Sequence, residues 1–219
     1  MTGKATHRVP LAREHIVEQA LAIVDSDGPE SLTMRRLGHA LDVDPMAVYH
    51  HLPNKAAVLD GIVELLWDGV RLPPAKPGER WQEVLAGVFT AFRDRLLEHP
   101  RAVAILGARP SVTPALFRLV EAILQRLEAA GLTGSDAMPL IDCLSGFTIG
   151  KVLAETSDLT GGHAEHVGAA LTSLTPQTHP TLLRALAEGY GFAPEEEFSR
   201  GLHALINGWR QDAPSSETR

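Results

Sequence analysis

The sequence predicts an all-α protein in which a helix-turn-helix domain precedes a larger helical domain. Apolar residues recur three and four positions apart through most of the 219 residues, which is the period of an amphipathic helix. No segment alternates apolar and polar residues as a half-buried strand does, and no segment is repeated. Glycine and proline interrupt the pattern where helices are expected to end.

Four helices are predicted before residue 71. The first ends at Gly28, and Thr33 is placed to cap a short second helix. A tight break separates it from a third helix that begins with Pro45, and Asn54 is placed to cap the fourth. Two short helices joined by a tight turn are typical of a helix-turn-helix. The first three helices therefore predict a DNA-binding domain within residues 1–70.

A second helical domain is predicted after a proline-rich connection. Residues 71–80 hold three prolines and one glycine, as expected for a link between domains. Helical patterns follow, with breaks at Pro100 and Gly131. We predict the second domain over 71–212 and a disordered polar tail over 213–219.

Bulk composition is ordinary for a soluble protein, although the charge is unusual for one that binds DNA. The net charge is -7, and the first 55 residues hold slightly more acidic than basic side chains. DNA affinity must therefore come from where the few cations lie. The one cysteine, Cys143, cannot form an internal disulfide, which favours a reducing cytoplasm. It lies in an apolar segment and is expected to be a small core residue.

Several classes of function are not expected. The sequence has no phosphate loop, nucleophile elbow, dinucleotide fingerprint or zinc-spaced His/Cys set, so we expect no enzyme activity and no cofactor. It has no signal peptide and no uninterrupted apolar run of ~18 residues, so we expect no membrane partner. His163 and His166 have a spacing that a metal could use, but two ligands make a weak site, and no metal is expected.

The third predicted helix has an outer face suited to the DNA major groove. Val48 and Leu52 are expected to face the core, which leaves outward a set of apolar, hydroxyl and imidazole groups: Met46, Ala47, Tyr49, His50 and His51. Apolar groups can contact thymine methyls, and the polar ones can contact phosphates or base edges. Arg35 can reach the groove or the backbone, and Lys55 can anchor a phosphate at the start of the fourth helix.

The segment SLTMRRLGHALDVDPMAVYHHLPNKAAVLDGIV resembles the signature of the tetracycline-repressor family of bacterial transcription regulators. The matching positions are Leu32, Thr33, Arg35, Leu37, Leu41, Val43, Tyr49, His51, Leu52, Asn54, Lys55, Val58 and Leu59. The resemblance implies that Thr33, Arg35, Tyr49, His51 and Lys55 contact operator DNA. It also implies that Pro45, Met46 and Ala47 occupy the base-reading positions. Tetracycline repressors have an amide side chain where this chain has Pro45, so a different operator is expected.

Alternatives remain open at each of these positions. Tyr49 can be a core aromatic, the two histidines a solvated pair, and Arg35 and Arg36 a solvated face. For the whole chain, the alternative is a helical ligand-binding or scaffold protein that has lost DNA binding. An enzyme is the more remote alternative.

The second half also resembles the family, in the segments RWQEVLAGVFTAFRDRLLEHP, ILGARP and SGFTIGKVLAET. The resemblance implies a homodimer whose four-helix bundle is built from residues 136–156 and 194–211 of each subunit. The residues expected to face the partner are Leu140, Leu144, Phe147, Leu202, Leu205, Ile206 and Trp209. The alternative is that they fill the subunit's own core. A dimer also places two recognition helices about 34–36 Å apart, as successive major grooves require.

The resemblance further implies a pocket for a small-molecule effector. Its candidate lining is Trp67, Val88, Phe92, Ile105, Phe117, Glu121, Phe147 and Lys151, although a residue of each such kind is more often ordinary core than a ligand contact. Glu121 and Lys151, if buried together, form either an ion pair or polar anchors for the ligand. Ile105 and Ala154 replace a histidine and an acidic residue with which family members hold magnesium-tetracycline, so that ligand is not expected.

Overall fold

The computed structural model describes residues 11–109, 112–156, 172–188 and 193–209. Within these residues there are ten α-helices and no strand, so the all-α prediction is confirmed. The helices are α1 (Arg13–Asp27), α2 (Met34–Ala40), α3 (Pro45–His51), α4 (Lys55–Asp68), α5 (Trp81–Glu98), α6 (Val103–Ala108), α7 (Pro114–Ala129), α8 (Gly134–Thr156), α9 (Pro180–Ala187) and α10 (Pro194–Gly208).

Side-chain caps fix where the short N-terminal helices begin. Thr33 Oγ1 accepts a hydrogen bond from the Arg36 backbone N–H at 3.1 Å and starts α2. Asn54 Oδ1 accepts from the Ala57 N–H at 2.9 Å and starts α4. Both caps were predicted, because short polar side chains satisfy N–H groups that have no partner inside a helix. Asp44 caps α3 in the same way, with 2.8 Å from Met46 N to its Oδ1.

Close packing brings α2 and α3 together at the turn between them. A Cβ atom at Gly38, which is buried, would lie 3.1 Å from Cα of Pro45, so a larger residue there would press on the start of α3. Asp42, in the turn, has a φ of 53°, a left-handed conformation that aspartate tolerates better than most residues. Both positions therefore constrain which residues the turn between α2 and α3 can hold.

The remaining helices, apart from α9, form one hydrophobic core with the N-terminal ones. α4 packs on α1, α6 and α7, and α8 packs on α5, α6, α7 and α10. The connection predicted at 71–80 is held by Arg126, whose guanidinium donates to Glu79 Oε1 at 2.7 Å and to the Pro73 carbonyl at 2.7 Å. The path of this irregular segment is therefore set by α7.

α8 is the longest helix in the described residues. It has 23 residues, and an 18-residue window of it has a mean hydropathy of 1.3, so by length and composition alone it could cross a membrane. Its most buried residues, among them Leu140 and Leu144, pack in the core of the chain. α8 is therefore a core helix of a helical domain and not a membrane span. Cys143, expected in the core, is exposed because it lies on the other face of this helix.

Two predictions lie outside the described residues: the disordered tail at 213–219, and the weak His163/His166 pair.

Candidate nucleic-acid interface and effector domain

α3 exposes four of its seven side chains. Val48 is fully buried and Leu52, just after the helix, is 3% exposed, so these two side chains hold α3 on the core. On the opposite side Met46 is 62% exposed and Tyr49 is 40% exposed. His50 and His51 are also exposed, whereas Pro45 and Ala47 are partly buried. Four of the five side chains predicted to face outward are therefore exposed, and the fifth, Ala47, is partly buried.

The cations around α3 differ in how freely they can bind a phosphate. Arg35 is exposed and has no partner within the described residues. Arg36 donates to Asp27, and this hydrogen bond lowers the pKa of the Asp27 carboxyl. Lys55 is partly buried, and its Nζ donates to the Pro29 carbonyl at 3.2 Å. Its ammonium keeps two further N–H groups, so Arg35 and Lys55 can both meet an anion.

Long-range polar contacts join α1 and α4 to the helices that follow. His99 Nδ1 lies 2.8 Å from Asp25 Oδ2, and Arg101 donates to the Asp25 carbonyl at 3.1 Å, close to the end of α1. On α4, Asp60 Oδ1 lies 2.6 Å from Arg109 Nη2. These contacts attach α1 and α4 to the segments that follow α5 and α6.

Clefts lie along the same junction. One, of about 320 Å³, opens between α1, α4 and α7 and is lined by Arg13, Glu14, Glu64 and Arg118 among others. Another, of about 350 Å³, lies beside the Asp60–Arg109 pair. Sequence reasoning did not identify the charged residues that line these clefts. Their ion-pair partners lie about fifty positions away in the chain, so no local pattern in the sequence reveals the pairs.

Four of the residues expected to line the effector pocket are buried in the core of the chain. The Trp67 ring stacks on the Phe92 ring with centroids 4.5 Å apart, and Val88 and Ile105 are buried as well. Trp67 Nε1 is buried without a hydrogen-bond partner among the described residues. It is a donor that a bound molecule carrying an acceptor oxygen could satisfy.

Similarity to known proteins identifies the family of this chain. Residues 73–212 match the family model described as tetracyclin repressor-like, C-terminal domain. The chain is 32% identical over 201 residues to the class C tetracycline repressor of Escherichia coli, with 90% of both chains covered. It is 26% identical over 226 residues to the HTH-type transcriptional repressor DrrR1 of Streptomyces coeruleorubidus, which covers 94% of this chain and 81% of that one.

Solved structures agree with the sequence comparison. ActR of Streptomyces coelicolor, in complex with actinorhodin, superposes with a TM-score of 0.78 at 27% identity, covering 92% of this chain and 97% of that chain. The chain belongs to the tetracycline-repressor family. It is a ligand-responsive transcription regulator, and α2 and α3 are the helix-turn-helix of that family.

The polar pair expected in the family's effector pocket does not form. Glu121 is exposed and accepts a hydrogen bond from Gln125 at 2.8 Å, because it lies on the solvent side of α7. Lys151 instead lies 2.6 Å from Glu197 of α10, and this hydrogen bond lowers the pKa of the Glu197 carboxyl. Phe117, also expected in the pocket, is 60% exposed on α7. These two α7 side chains therefore lie outside the packed interior of the subunit.

A second ion pair ties α5 to α8 in the C-terminal domain. Arg93 Nη2 lies 2.8 Å from Glu155 Oε2, and the guanidinium also lies 5.2 Å from the centroid of the Phe198 ring. Phe147 stacks on Phe198 with centroids 5.6 Å apart. Glu155 is the neighbour of Ala154, where tetracycline-binding members have an acidic residue, and here its carboxylate is used within the subunit.

Four residues expected at the dimer interface lie instead in the subunit's own core. Leu140, Leu144, Leu202 and Ile206 are at most 1% exposed, because α8 and α10 turn their most apolar faces toward each other and toward α5. The alternative interpretation of these four residues, that they fill the subunit's own core, therefore describes their environment. The other three, Phe147, Leu205 and Trp209, are partly buried against the same core.

The outward face of α8 carries small side chains instead. Pro139, Cys143, Gly146, Gly150 and Ala154 are all exposed there. A helix face of small residues allows another helix to approach closely, and it carries no large apolar side chain that would mark it in the sequence.

Proposed function

We propose that the protein is a homodimeric repressor that binds a pseudo-palindromic operator through α3 of each subunit and is released by a small-molecule effector. The observation that carries this proposal is the pairing of a buried Val48 with an exposed Met46 and Tyr49 on one short helix. Such a helix is held firmly by the protein and offers its other face to a major groove.

The charge distribution is compatible with operator binding despite a net charge of -7. Arg35 is unpaired within the described residues and lies on α2, which packs on α3, and Lys55 begins α4. Phosphate contacts from a few well-placed cations position a helix-turn-helix, while base contacts supply specificity. The alternative, a scaffold that has lost DNA binding, is favoured only by the engagement of Arg36 with Asp27 and the acidic balance of this region.

Exposed apolar surfaces support a homodimer. α9 has no buried residue, yet Leu182, Leu183 and Leu186 lie at spacings that place them along one side. On α7, Phe117 is also exposed. The small outward residues of α8 are a further exposed face that a second copy of the chain would cover.

The proposed effector is an organic molecule bound without a magnesium ion. ActR is seen with actinorhodin, and other relatives are tetracycline repressors. In this chain Ile105 and Ala154 cannot coordinate a metal, and no group of three metal-binding side chains occurs in the described residues. The buried apolar side chains around Phe92, with Trp67 Nε1 as a donor, would suit an aromatic ligand that carries acceptor oxygens if the effector binds among them.

Release would be a shift between two conformations of the dimer. An effector lowers operator affinity only if it binds more tightly to the conformation in which the two copies of α3 no longer match the half-site spacing. The Asp25–His99 and Asp60–Arg109 contacts join the effector domain to α1 and α4 and would carry that change.

The test is binding of the purified protein to DNA from upstream of its own gene, titrated with salt. We expect tight binding to one pseudo-palindromic segment, weakening as salt rises. A screen of aromatic compounds should then find one that lowers the affinity without unfolding the protein. Weak, sequence-blind binding to this DNA and to a library of random duplexes would favour the scaffold alternative.

A further inference from the structure

The outer face of α3 exposes large apolar side chains. Six large apolar side chains are exposed in the described residues, and two of them, Met46 and Tyr49, lie on this seven-residue helix. Met46 is 62% exposed, and no side-chain partner covers it within the described part of the chain. An exposed apolar side chain on the outer face of a DNA-binding helix is available for contact with the major groove.

The first turn of α3 has no side chain that can hydrogen-bond to a base. Pro45, Met46 and Ala47 carry no polar N–H, O–H or oxygen acceptor, and the side chains of His50 and His51 belong to the last turn. The strong pairings with guanine and adenine use Arg, Lys, Asn or Gln, and none of these occurs in α3. The feature of a major groove that an apolar side chain recognises is the 5-methyl group of thymine.

The neighbouring cations do not change this conclusion. Arg36 is held by Asp27, and Lys55 by the Pro29 carbonyl. Arg35 is the cation of the helix-turn-helix left without a partner in the described residues, and it lies on α2. A guanidinium there can contact a guanine or a phosphate beside the site that the first turn of α3 covers.

We propose that α3 reads its operator through thymine methyl groups, with Met46 and Ala47 as the contacting side chains. Each half-site then carries A·T pairs opposite the first turn of α3, and shape and methyl contacts, not bidentate hydrogen bonds, discriminate the bases there. This inference rests on the proposed operator binding and specifies the chemistry of that site.

The experiment first selects operators from a library of random duplexes with the full-length protein. Each thymine of the selected half-site is then replaced by deoxyuridine, which lacks only the methyl group, and affinity is measured at one salt concentration. Because burying one methyl group is worth about a fourfold change in affinity, we expect losses of roughly that size at one or two thymines opposite α3. The remaining thymines should tolerate uracil.

Protein variants assign the effect to particular side chains. In Met46→Ala, the difference between thymine and uracil should disappear at the position that Met46 contacts, and Ala47→Gly should do the same at its own position. Arg35→Ala is the matched control: it should weaken binding to both duplexes and leave their ratio unchanged. Since Met46 is exposed, its replacement should leave the fold intact.

Three outcomes would overturn the inference. These are selected half-sites without A·T pairs opposite α3, uracil duplexes that bind as well as thymine duplexes, or a methyl effect unchanged in both α3 variants. In each of them specific binding persists, so the proposed repressor function stands. A selection that enriches no sequence would instead overturn both.

Discussion

His99 Nδ1 lies 2.8 Å from Asp25 Oδ2 and links the C-terminal end of α5 to the last turns of α1. The two side chains are 17% and 31% exposed, and Asp25 Oδ1 is buried without a partner among the described residues. Arg101 donates to the backbone carbonyls of Asp25 and Ser26 beside them. The C-terminal end of α1, the first helix of the DNA-binding domain, is thus attached to side chains of the segment that follows α5.

Replacing His99 should weaken the attachment of α1 to the segment that follows α5. In His99→Ala, Asp25 loses its side-chain partner in a partly buried place, so we expect the free energy of unfolding to fall by about 1–2 kcal/mol. Urea denaturation measures this change. His15→Ala is the control, because His15 is exposed and lies 3.9 Å from Glu18. Equal stability of the two variants would contradict a role for His99 in this attachment.

Tyr49→Ala and Lys55→Ala should weaken operator binding and leave the dimer intact. Tyr49 offers its ring and hydroxyl to the DNA, and Lys55 offers an ammonium to a phosphate. For Lys55→Ala we also expect the slope of log affinity against log salt to fall by about one, as for the loss of one phosphate contact. Fluorescence anisotropy over a salt series measures both effects. Normal affinity in both variants would remove these two residues from the interface.

Removing Glu155 should strongly destabilise the C-terminal domain. Arg93 is 9% exposed in its side chain and would be left as a buried charge without its carboxylate. For Glu155→Ala we expect a loss of about 3–5 kcal/mol. Glu197→Ala is the comparison, and its smaller effect follows from the greater exposure of the Lys151–Glu197 pair. Thermal and urea unfolding of both variants test the order, and the reverse order would contradict it.

Leu182→Glu should shift the protein from dimer to monomer without unfolding the subunit. Leu182 is 46% exposed on α9, which contributes no buried residue to its own chain. A charge placed there would be buried against a second copy but solvated in the monomer. Sedimentation equilibrium measures the dissociation constant, and circular dichroism verifies the helix content. A dimer as stable as that of the unchanged protein would show that α9 does not contact the partner.

Acid should remove the contribution of the Lys151–Glu197 pair. The hydrogen bond from Lys151 lowers the pKa of Glu197, so the folded state binds this proton less readily than the unfolded state. The stabilisation is therefore present at neutral pH and is lost as the pH falls through the acidic range. Glu197→Gln should have a shallower decline in stability between neutral and acidic pH, measured by urea denaturation. A decline identical to that of the unchanged chain would contradict this assignment.

Local chemistry was enough to predict the helix-turn-helix. Thr33 and Asn54 cap helices with their own neighbours, and Val48 follows the helical period, so nothing distant had to be known. The family was recognised for the same reason, since its signature is a contiguous segment. The outward face of α3 followed from the buried one.

The C-terminal domain was less predictable because its charges and faces find partners far along the chain. Glu121 was expected beside Lys151, yet Lys151 pairs with Glu197 and Arg93 with Glu155, 46 and 62 positions away. Apolarity alone likewise could not say whether Leu140 and Leu202 meet their own subunit or another.

The sequence by itself determined the all-α class, the helix-turn-helix and the family, because helical period, caps and a contiguous motif are local properties. The tertiary structure decided which apolar face of α8 is buried, which cations of the DNA-binding domain are paired, and how His99 is attached to α1. Those features depend on the packing of helices that are distant in the chain, and packing is a property of the assembled core.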